Sequence, residues 1–229
     1  MNGTGRSLGR TLAAAFPHTV PVLTGYLVLG MAYGVLMQAK GYGAIWAFLM
    51  SAVAFCGSMQ FVAITLLTGA FDPVGAFLMS LMVNARHLFY GVSMLGKYRG
   101  MGWAKVPLVY TLSDETFSIV SSVEPPEGMR ARDFYLAVSG LDYIYWVGGS
   151  VLGALAGKFI RFDTTGLDFA LTALFVVLLL EQVSKRENRP AAAIGIGATV
   201  VSLLLFGADN LVIPAMVLIL VVLLAGRRK

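Results

Sequence analysis

Long apolar runs parted by short polar breaks constrain this sequence more tightly than any other feature. The runs cover 22–39, 44–70, 74–96, 106–123, 134–157 and 167–180, and a last apolar region, 191–226, is interrupted by GADN at 207–210. A helix rises 1.5 Å per residue, so about 20 apolar residues cross the roughly 30 Å hydrocarbon slab of a bilayer. Within that slab every backbone N–H and C=O needs an internal partner, which leaves helices or a closed barrel. These runs are too long for barrel strands and their residues do not alternate. The expectation is an all-α, polytopic membrane helical bundle with seven or eight spans, some of them broken. A break is most expected in 44–70, which is longer than the slab requires and is punctuated by CGSMQ at 56–60.

Composition agrees. Charged residues make up 13% of the chain, against about 25% in a soluble domain. The 26 glycines would weaken soluble helices, but in a membrane they let helices approach closely. Gly30 and Gly34 lie four apart in the first run, and Gly149, Gly153 and Gly157 repeat that spacing in the fifth. Packing is the first reading of such faces, and a functional hinge the second.

The net charge of +5 lies in short loops and at the two ends, with no long basic patch, so nucleic acid is not an expected partner. Cytoplasmic loops of membrane proteins are enriched in Lys and Arg. With eight spans and an inside amino terminus, the inside holds Arg6, Arg10, Arg130, Arg132, Lys185, Arg186, Arg189, Arg227, Arg228 and Lys229. The outside holds the smaller set Lys40, Lys97, Arg99, Lys105, Lys158 and Arg161, of which KYRGMGWAK at 97–105 fits this topology least well. No convincing signal-peptide cleavage site follows the first apolar run. Residues 1–21 are therefore expected as a cytoplasmic lead-in, amphipathic around 7–16, before a single transmembrane domain at 22–226. Cys56 is the only cysteine, which excludes an intrachain disulfide and a C-x-x-C site. The chain has no G-x-x-x-x-G-K-[ST] stretch, so an ATP-driven motor is not expected in it.

Ionisable residues inside a span face protein or a water-filled cavity, and mark solute or proton paths. In the third run SLMVNARHLFYG, 80–91, places Asn84, Arg86 and His87 near mid-span. Arg86 can counter a substrate carboxylate, or clamp an internal acid or the carbonyls of a broken helix. Histidine ordinarily titrates near neutrality, so His87 is either a proton relay or a hydrogen-bond donor. His18 lies in the lead-in, so no histidine pair supports a metal site. In the second run Gly57, Ser58 and Gln60 permit an unwound turn whose exposed backbone groups bind a solute; a simple kink is the alternative. In the fourth run Asp114 and Glu115 are adjacent and cannot share one helix face, so one of them is free to pair with Arg86. Either acid could bind a substrate amino group or carry a proton. Asp142, in GLDYIYW, Glu181 with Gln182, and Asp209 with Asn210 are weaker candidates, explained as well by interfaces and caps.

Four stretches in order, SAVAFCGSMQFVA at 51–63, LMVNARHLFYG at 81–91, LSDETF at 112–117 and GLDFALTALF at 166–175, resemble the AzlC family, the large subunits of branched-chain amino acid exporters. The resemblance spans roughly residues 12–225. It implies a multi-pass permease of the bacterial or archaeal inner membrane that exports valine, leucine, isoleucine and, in some members, methionine. It also implies a small AzlD-like membrane subunit as partner. Further copies of the chain and the lipid bilayer are the other expected contacts, and no cofactor is expected. Carried onto this sequence, the suggestive positions are Ser58, Gln60, Asn84, Arg86, His87, Asp114 and Glu115.

The resulting expectation is a secondary transporter with alternating access. Arg86, or freed N–H groups near Gly57, would meet the substrate carboxylate. Asp114 or Glu115 would meet its ammonium group, and His87 or an embedded acid would couple a proton. A passive channel for small solutes and a structural subunit whose partner carries the activity stay open as alternatives. A membrane enzyme is disfavoured, because the spacing of Asp114, His87 and Ser58 gives no geometric support for a triad.

Overall fold

A computed structural model describes residues 3–159, 176, 179–180, 183–184, 186–207 and 211–226. All regular elements among them are helices. The chain divides into two compact units, Met1–Thr164 and Thr165–Lys229.

In the first unit, α1 covers Gly3–Ala39, α2 Ala44–Val53, α3 Gly57–Thr68 and α4 Pro73–Met94. A 3-10 turn at Gly102–Ala104 leads into α5, Lys105–Tyr110. Then come α6, Asp114–Ser122, and α7, Ala131–Ala156. The helix that holds the expected first span, 22–39, thus begins earlier, at Gly3. Pro17 and Pro21 sit inside α1 without ending it. Each removes one backbone bond, a loss that tertiary packing can offset in a long apolar helix.

The expected break in 44–70 is present. Cys56 precedes the first turn of α3 in a non-helical conformation, and Phe55 sits at φ 39°, a region that L side chains rarely adopt. Packing holds it there, for Phe55 is buried with its ring 5.0 Å from that of Tyr143. A second break at Thr111–Ser113 separates α5 from α6 and divides the fourth expected span. Ser113 caps α6 by accepting from the Thr116 N–H at 3.1 Å. Asp72 caps α4 in the same way, accepting from the Gly75 N–H at 2.9 Å, with Pro73 at the first helical position.

The main seam of the unit joins α1 to α7. A Cβ on Gly34 would run into the backbone of Ser150 and Ala154, and one on Gly153 into the backbone of Met31. A Cβ on Gly149 would lie 2.8 Å from the Tyr26 carbonyl oxygen. Packing is therefore the reading the glycine spacing supports, since only glycine lets the two backbones meet. Beside the seam an apolar core gathers Ala15, Met94, Leu108, Leu112, Val120, Phe134 and Val138.

The second unit holds α8, Arg189–Phe206, and α9, Val212–Gly226, packed against one another. Gly207, at φ 73°, follows α8, as expected of a helix that ends on glycine. The expected span 167–180 lies almost wholly outside the described residues. So do Glu181, Gln182, Asp209 and Asn210.

Two of the described helices, Leu8–Ala39 and Arg189–Phe206, are long and apolar enough to cross a membrane by themselves. The other described helices of the first unit fall short for visible reasons. The two breaks shorten α2, α3, α5 and α6. Asn84, Arg86 and His87 dilute α4, and Asp142 with its neighbouring tyrosines dilutes α7. Large apolar side chains nevertheless face outward on many helices, among them Val28, Ile45, Leu88, Val92, Ile144 and Leu204. So much exposed apolar surface suits lipid rather than water.

Candidate functional site

The two helix breaks and α4 bring three of the sequence motifs together. Arg86 projects from α4. Its Nη2 donates to Ser58 Oγ, in the first turn of α3, at 3.1 Å. Its Nη1 lies 3.0 Å from Oδ2 of Asp114, in the first turn of α6. Each position has a local cause. Ser58 follows the break that exposes the α3 N-terminus, whose first N–H groups have no partner inside the helix. Asp114 follows the Ser113 cap, where a negative charge meets the favourable end of the α6 dipole. Tyr90 of α4 stacks on Phe117 of α6, with ring centroids 4.5 Å apart and 16° between planes, and so fixes α4 against α6 beside the ion pair.

The ion pair is open. The Arg86 and Asp114 side chains are 43% and 36% exposed, so a solute can reach both. The accessible part of the carboxylate is not Oδ1, which is buried and has no hydrogen-bond partner. The site therefore offers a cation, an anion and a hydroxyl within one reach.

The other sequence candidates part company. Gln60 is fully buried and faces away from Arg86. Its Nε2 donates to Ser51 Oγ at 3.1 Å, and its Oε1 accepts from the Trp146 indole N–H at 2.8 Å. It thereby ties α2, α3 and α7 together. Gly57 lies under the same indole, and a Cβ there would sit 3.2 Å from Trp146 Cη2. The Asn84 side chain neighbours the Cys56 thiol. His87 places Nδ1 3.3 Å from the Asn84 carbonyl oxygen and its ring edge against Tyr90. The adjacent acids diverge: Asp114 meets Arg86, while Glu115 turns to α1, where its Oε2 lies 2.6 Å from the Tyr26 hydroxyl.

Sequence spacing gave little weight to Asp142, which the structure shows to be fully buried. Its Oδ2 accepts from the Thr116 hydroxyl at 2.7 Å, and its Oδ1 has no partner. The signal was a charge eight residues into the expected fifth span; nearby aromatics offered an interfacial explanation that burial removes. Among the described residues no group of His, Cys, Asp and Glu could hold a metal ion.

Comparison with known proteins places this arrangement in a family. The family described as AzlC protein matches residues 21–160, which contain both breaks and the ion pair. The chain belongs to the AzlC family. It is 46% identical over 215 residues to the Bacillus subtilis protein named branched-chain amino acid transport protein AzlC, covering 94% of this chain and 85% of that one. An uncharacterized membrane protein of Helicobacter pylori is 40% identical over 94% of each chain. The Escherichia coli inner membrane protein YgaZ is 24% identical over 79% of this chain and 76% of its own. No solved structure matches this AzlC-family chain.

Proposed function

We propose that this chain is the large subunit of a branched-chain amino acid exporter, a multi-pass protein of the cytoplasmic membrane acting as a secondary transporter. Membership of the AzlC family supports the substrate class. The observation that carries the mechanism is the open Arg86–Asp114 pair beside Ser58 at two helix breaks.

An amino acid zwitterion carries the same two charges as that pair. Its carboxylate can replace Asp114 on Arg86, in the two-pronged geometry a guanidinium favours. Its ammonium group can replace Arg86 on Asp114. Exchange leaves no charge unpaired at either stage, which matters where an uncompensated charge is costly. Ser58 and the free N–H groups of the α3 N-terminus add donors for the carboxylate. Phe55 and Met59, buried at the same break, supply apolar surface for an aliphatic side chain. No covalent step is required.

Eight crossings follow if each broken pair counts once: α1, α2 with α3, α4, α5 with α6, α7, the run 167–180, α8 and α9. Both ends then face the cytoplasm. A small AzlD-like membrane subunit is the proposed partner.

The test is counterflow of radiolabelled leucine and valine in liposomes holding the full chain, with and without the small subunit. Leucine should exchange saturably, and Arg86→Gln should raise its half-saturation point about 10- to 100-fold while the protein still assembles. Exchange undiminished in Arg86→Gln removes the arginine from the substrate path, and a wild type that exchanges no branched-chain amino acid removes the transport reading.

A further inference from the structure

Asp142 and Glu115 are joined by an unbroken line of hydroxyl groups that the ion pair at Arg86 does not use. Oε2 of Glu115 lies 2.6 Å from the Tyr26 hydroxyl, which lies 2.7 Å from Ser113 Oγ. Ser113 Oγ donates to Thr116 Oγ1 at 3.1 Å, and Thr116 Oγ1 donates to Asp142 Oδ2 at 2.7 Å. Tyr26, Thr116 and Asp142 are all buried, whereas Glu115 is partly exposed. We infer that these five side chains form a proton path between an accessible carboxyl, Glu115, and an enclosed one, Asp142. The inference rests on the transport reading and names the route by which that transport takes up its proton.

Two features single out a proton. Oδ1 of Asp142 is buried with no partner, and among the described residues no cation pairs with this carboxylate. A lone ionised carboxylate is costly in such a place, and a proton on it removes the charge. The titratable groups that face it are Glu115 from α6 and Tyr26 from α1. Of the other helices packed on α7, α2 has no titratable residue; in α5 Lys105 borders a surface groove with Trp103 and Val106, and the Tyr110 hydroxyl is turned to the carbonyls of Ala52 and Val53. Arg86 is engaged by Asp114.

The second feature is that the Tyr26 hydroxyl touches two acceptors but has one proton. It donates to Glu115 when that group is ionised, and to Ser113 when Glu115 is protonated. In the second state all the donors point one way, from Glu115 through Tyr26, Ser113 and Thr116 to Asp142. A proton leaving Glu115 for the Tyr26 oxygen releases the Tyr26 proton to Ser113, the Ser113 proton to Thr116, and the Thr116 proton to Asp142. Each hydroxyl gains one proton and loses one; Glu115 ends ionised and Asp142 neutral. Rotation of the three hydroxyls resets the line. Chains of embedded polar groups of this kind serve as proton relays in pumps and transporters.

Coupling has a short path. The first turn of α6 carries Asp114 and Glu115 on adjacent residues, so a solute that parts Arg86 from Asp114 displaces the entry of the proton path as well.

The full chain is placed in liposomes with a trapped pH-sensitive dye, and a leucine gradient is imposed. Wild type should move protons with leucine. Thr116→Val, nearly the same shape without the hydroxyl, should reduce the proton signal at least tenfold while leucine counterflow stays within about twofold. Asp142→Asn should do the same, and Asp142→Glu should keep part of the signal. Should Asp142→Asn fail to assemble, Thr116→Val and Tyr26→Phe decide alone. Proton movement at the wild-type level in Thr116→Val and Tyr26→Phe overturns the inference. So does a wild type driven by a sodium gradient and not by a proton gradient. Absence of leucine counterflow in the wild type is a different result: it defeats the transport reading, and the proton path with it.

Discussion

Nη1 of Arg86 lies 3.0 Å from Oδ2 of Asp114, joining the middle of α4 to the first turn of α6 with both side chains partly exposed. A structural clamp and a substrate site would both show this pair, but they respond differently to exchange of its charges. Arg86→Asp with Asp114→Arg keeps opposite charges facing one another, so a clamp is restored. A bound zwitterion would then have to reverse its direction, carrying its aliphatic side chain away from Phe55 and Met59. Each single charge-removing variant should weaken leucine affinity about 10- to 100-fold, the equivalent of about 1.5–3 kcal/mol for a charged hydrogen bond. The double exchange should recover thermal stability without recovering leucine counterflow. Counterflow at the wild-type level in the double variant would make the pair a clamp.

The α1–α7 seam gives a second expectation, free of any functional reading. Gly34→Ala and Gly153→Ala place a methyl group against backbone that cannot swing aside. Each should destabilise the chain by about 1–3 kcal/mol, the usual cost of overpacking. Gly25 lies in the same helix with nothing within 4 Å of a Cβ. Gly25→Ala should therefore leave stability unchanged, or raise it by about 0.5–1 kcal/mol. Melting temperatures of the three variants in detergent check the ordering, and equal melting of Gly25→Ala and Gly34→Ala would contradict it.

What could be read from residues alone divides along physical lines. The break at CGSMQ was legible because a run longer than the bilayer must tilt or break, and a glycine among small polar residues marks where. The pairing of one of two adjacent acids with Arg86 was legible because neighbours on a helix point apart. Which acid pairs was not legible, since that depends on how α6 is rotated against α4, and rotation is set by contacts such as Tyr90 on Phe117. Gln60 shows the limit most clearly. A buried amide reads the same whether it awaits a solute or satisfies an indole, and only the Trp146 contact tells them apart. The start of α1 was hidden by Pro17 and Pro21, which end most helices in water but sit within this one. Asp142 was hidden by Tyr143, Tyr145 and Trp146, whose ordinary place is the membrane interface.

Acid should loosen the loops before it reaches the bundle. Hydrogen bonding from Lys97 and then its charge pull Glu124 below the usual carboxylate range. The Arg132 hydrogen bond, with the charges of Arg130 and Arg132, does the same for Asp133. A carboxylate lowered in the folded state contributes stability above its unfolded value, about 3.9 for Asp and 4.3 for Glu, and loses it as pH falls through the folded value. Lys97 moves the opposite way: burial lowers it, the bonds to Glu124 and Tyr135 outweigh that, and its contribution fades only in strong alkali. Both carboxylates are in loop or helix-end positions open to solvent, so the effect should be small. Melting temperature should fall from about pH 4 downward, and the fall should be shallower in Glu124→Gln with Asp133→Asn. An acid limb of unchanged slope in that double variant would assign the loss to other groups.

The break between α2 and α3 rests on two tyrosines from elsewhere in the fold, which makes it a place to test whether helix interruption serves transport. The Tyr110 hydroxyl donates to the carbonyl oxygens of Ala52 and Val53, and the Tyr143 hydroxyl donates to Ala52 at 2.9 Å. These carbonyls end α2, where the helix has no partners of its own to offer. Because Ala52 has two donors, Tyr143→Phe alone should cost about 1 kcal/mol or less. Tyr110→Phe with Tyr143→Phe strips both carbonyls of these donors, and its cost should exceed the sum of the single changes, since the two share an acceptor. A loosened end of α2 releases Phe55 from its strained backbone and with it the orientation of the α3 N-terminus that presents Ser58 to Arg86. The double variant should therefore bind leucine more weakly as well as melt earlier, with the maximal rate of counterflow less affected than its half-saturation point. A double variant that melts earlier but keeps wild-type half-saturation would mean that the break shapes the fold without shaping the solute site.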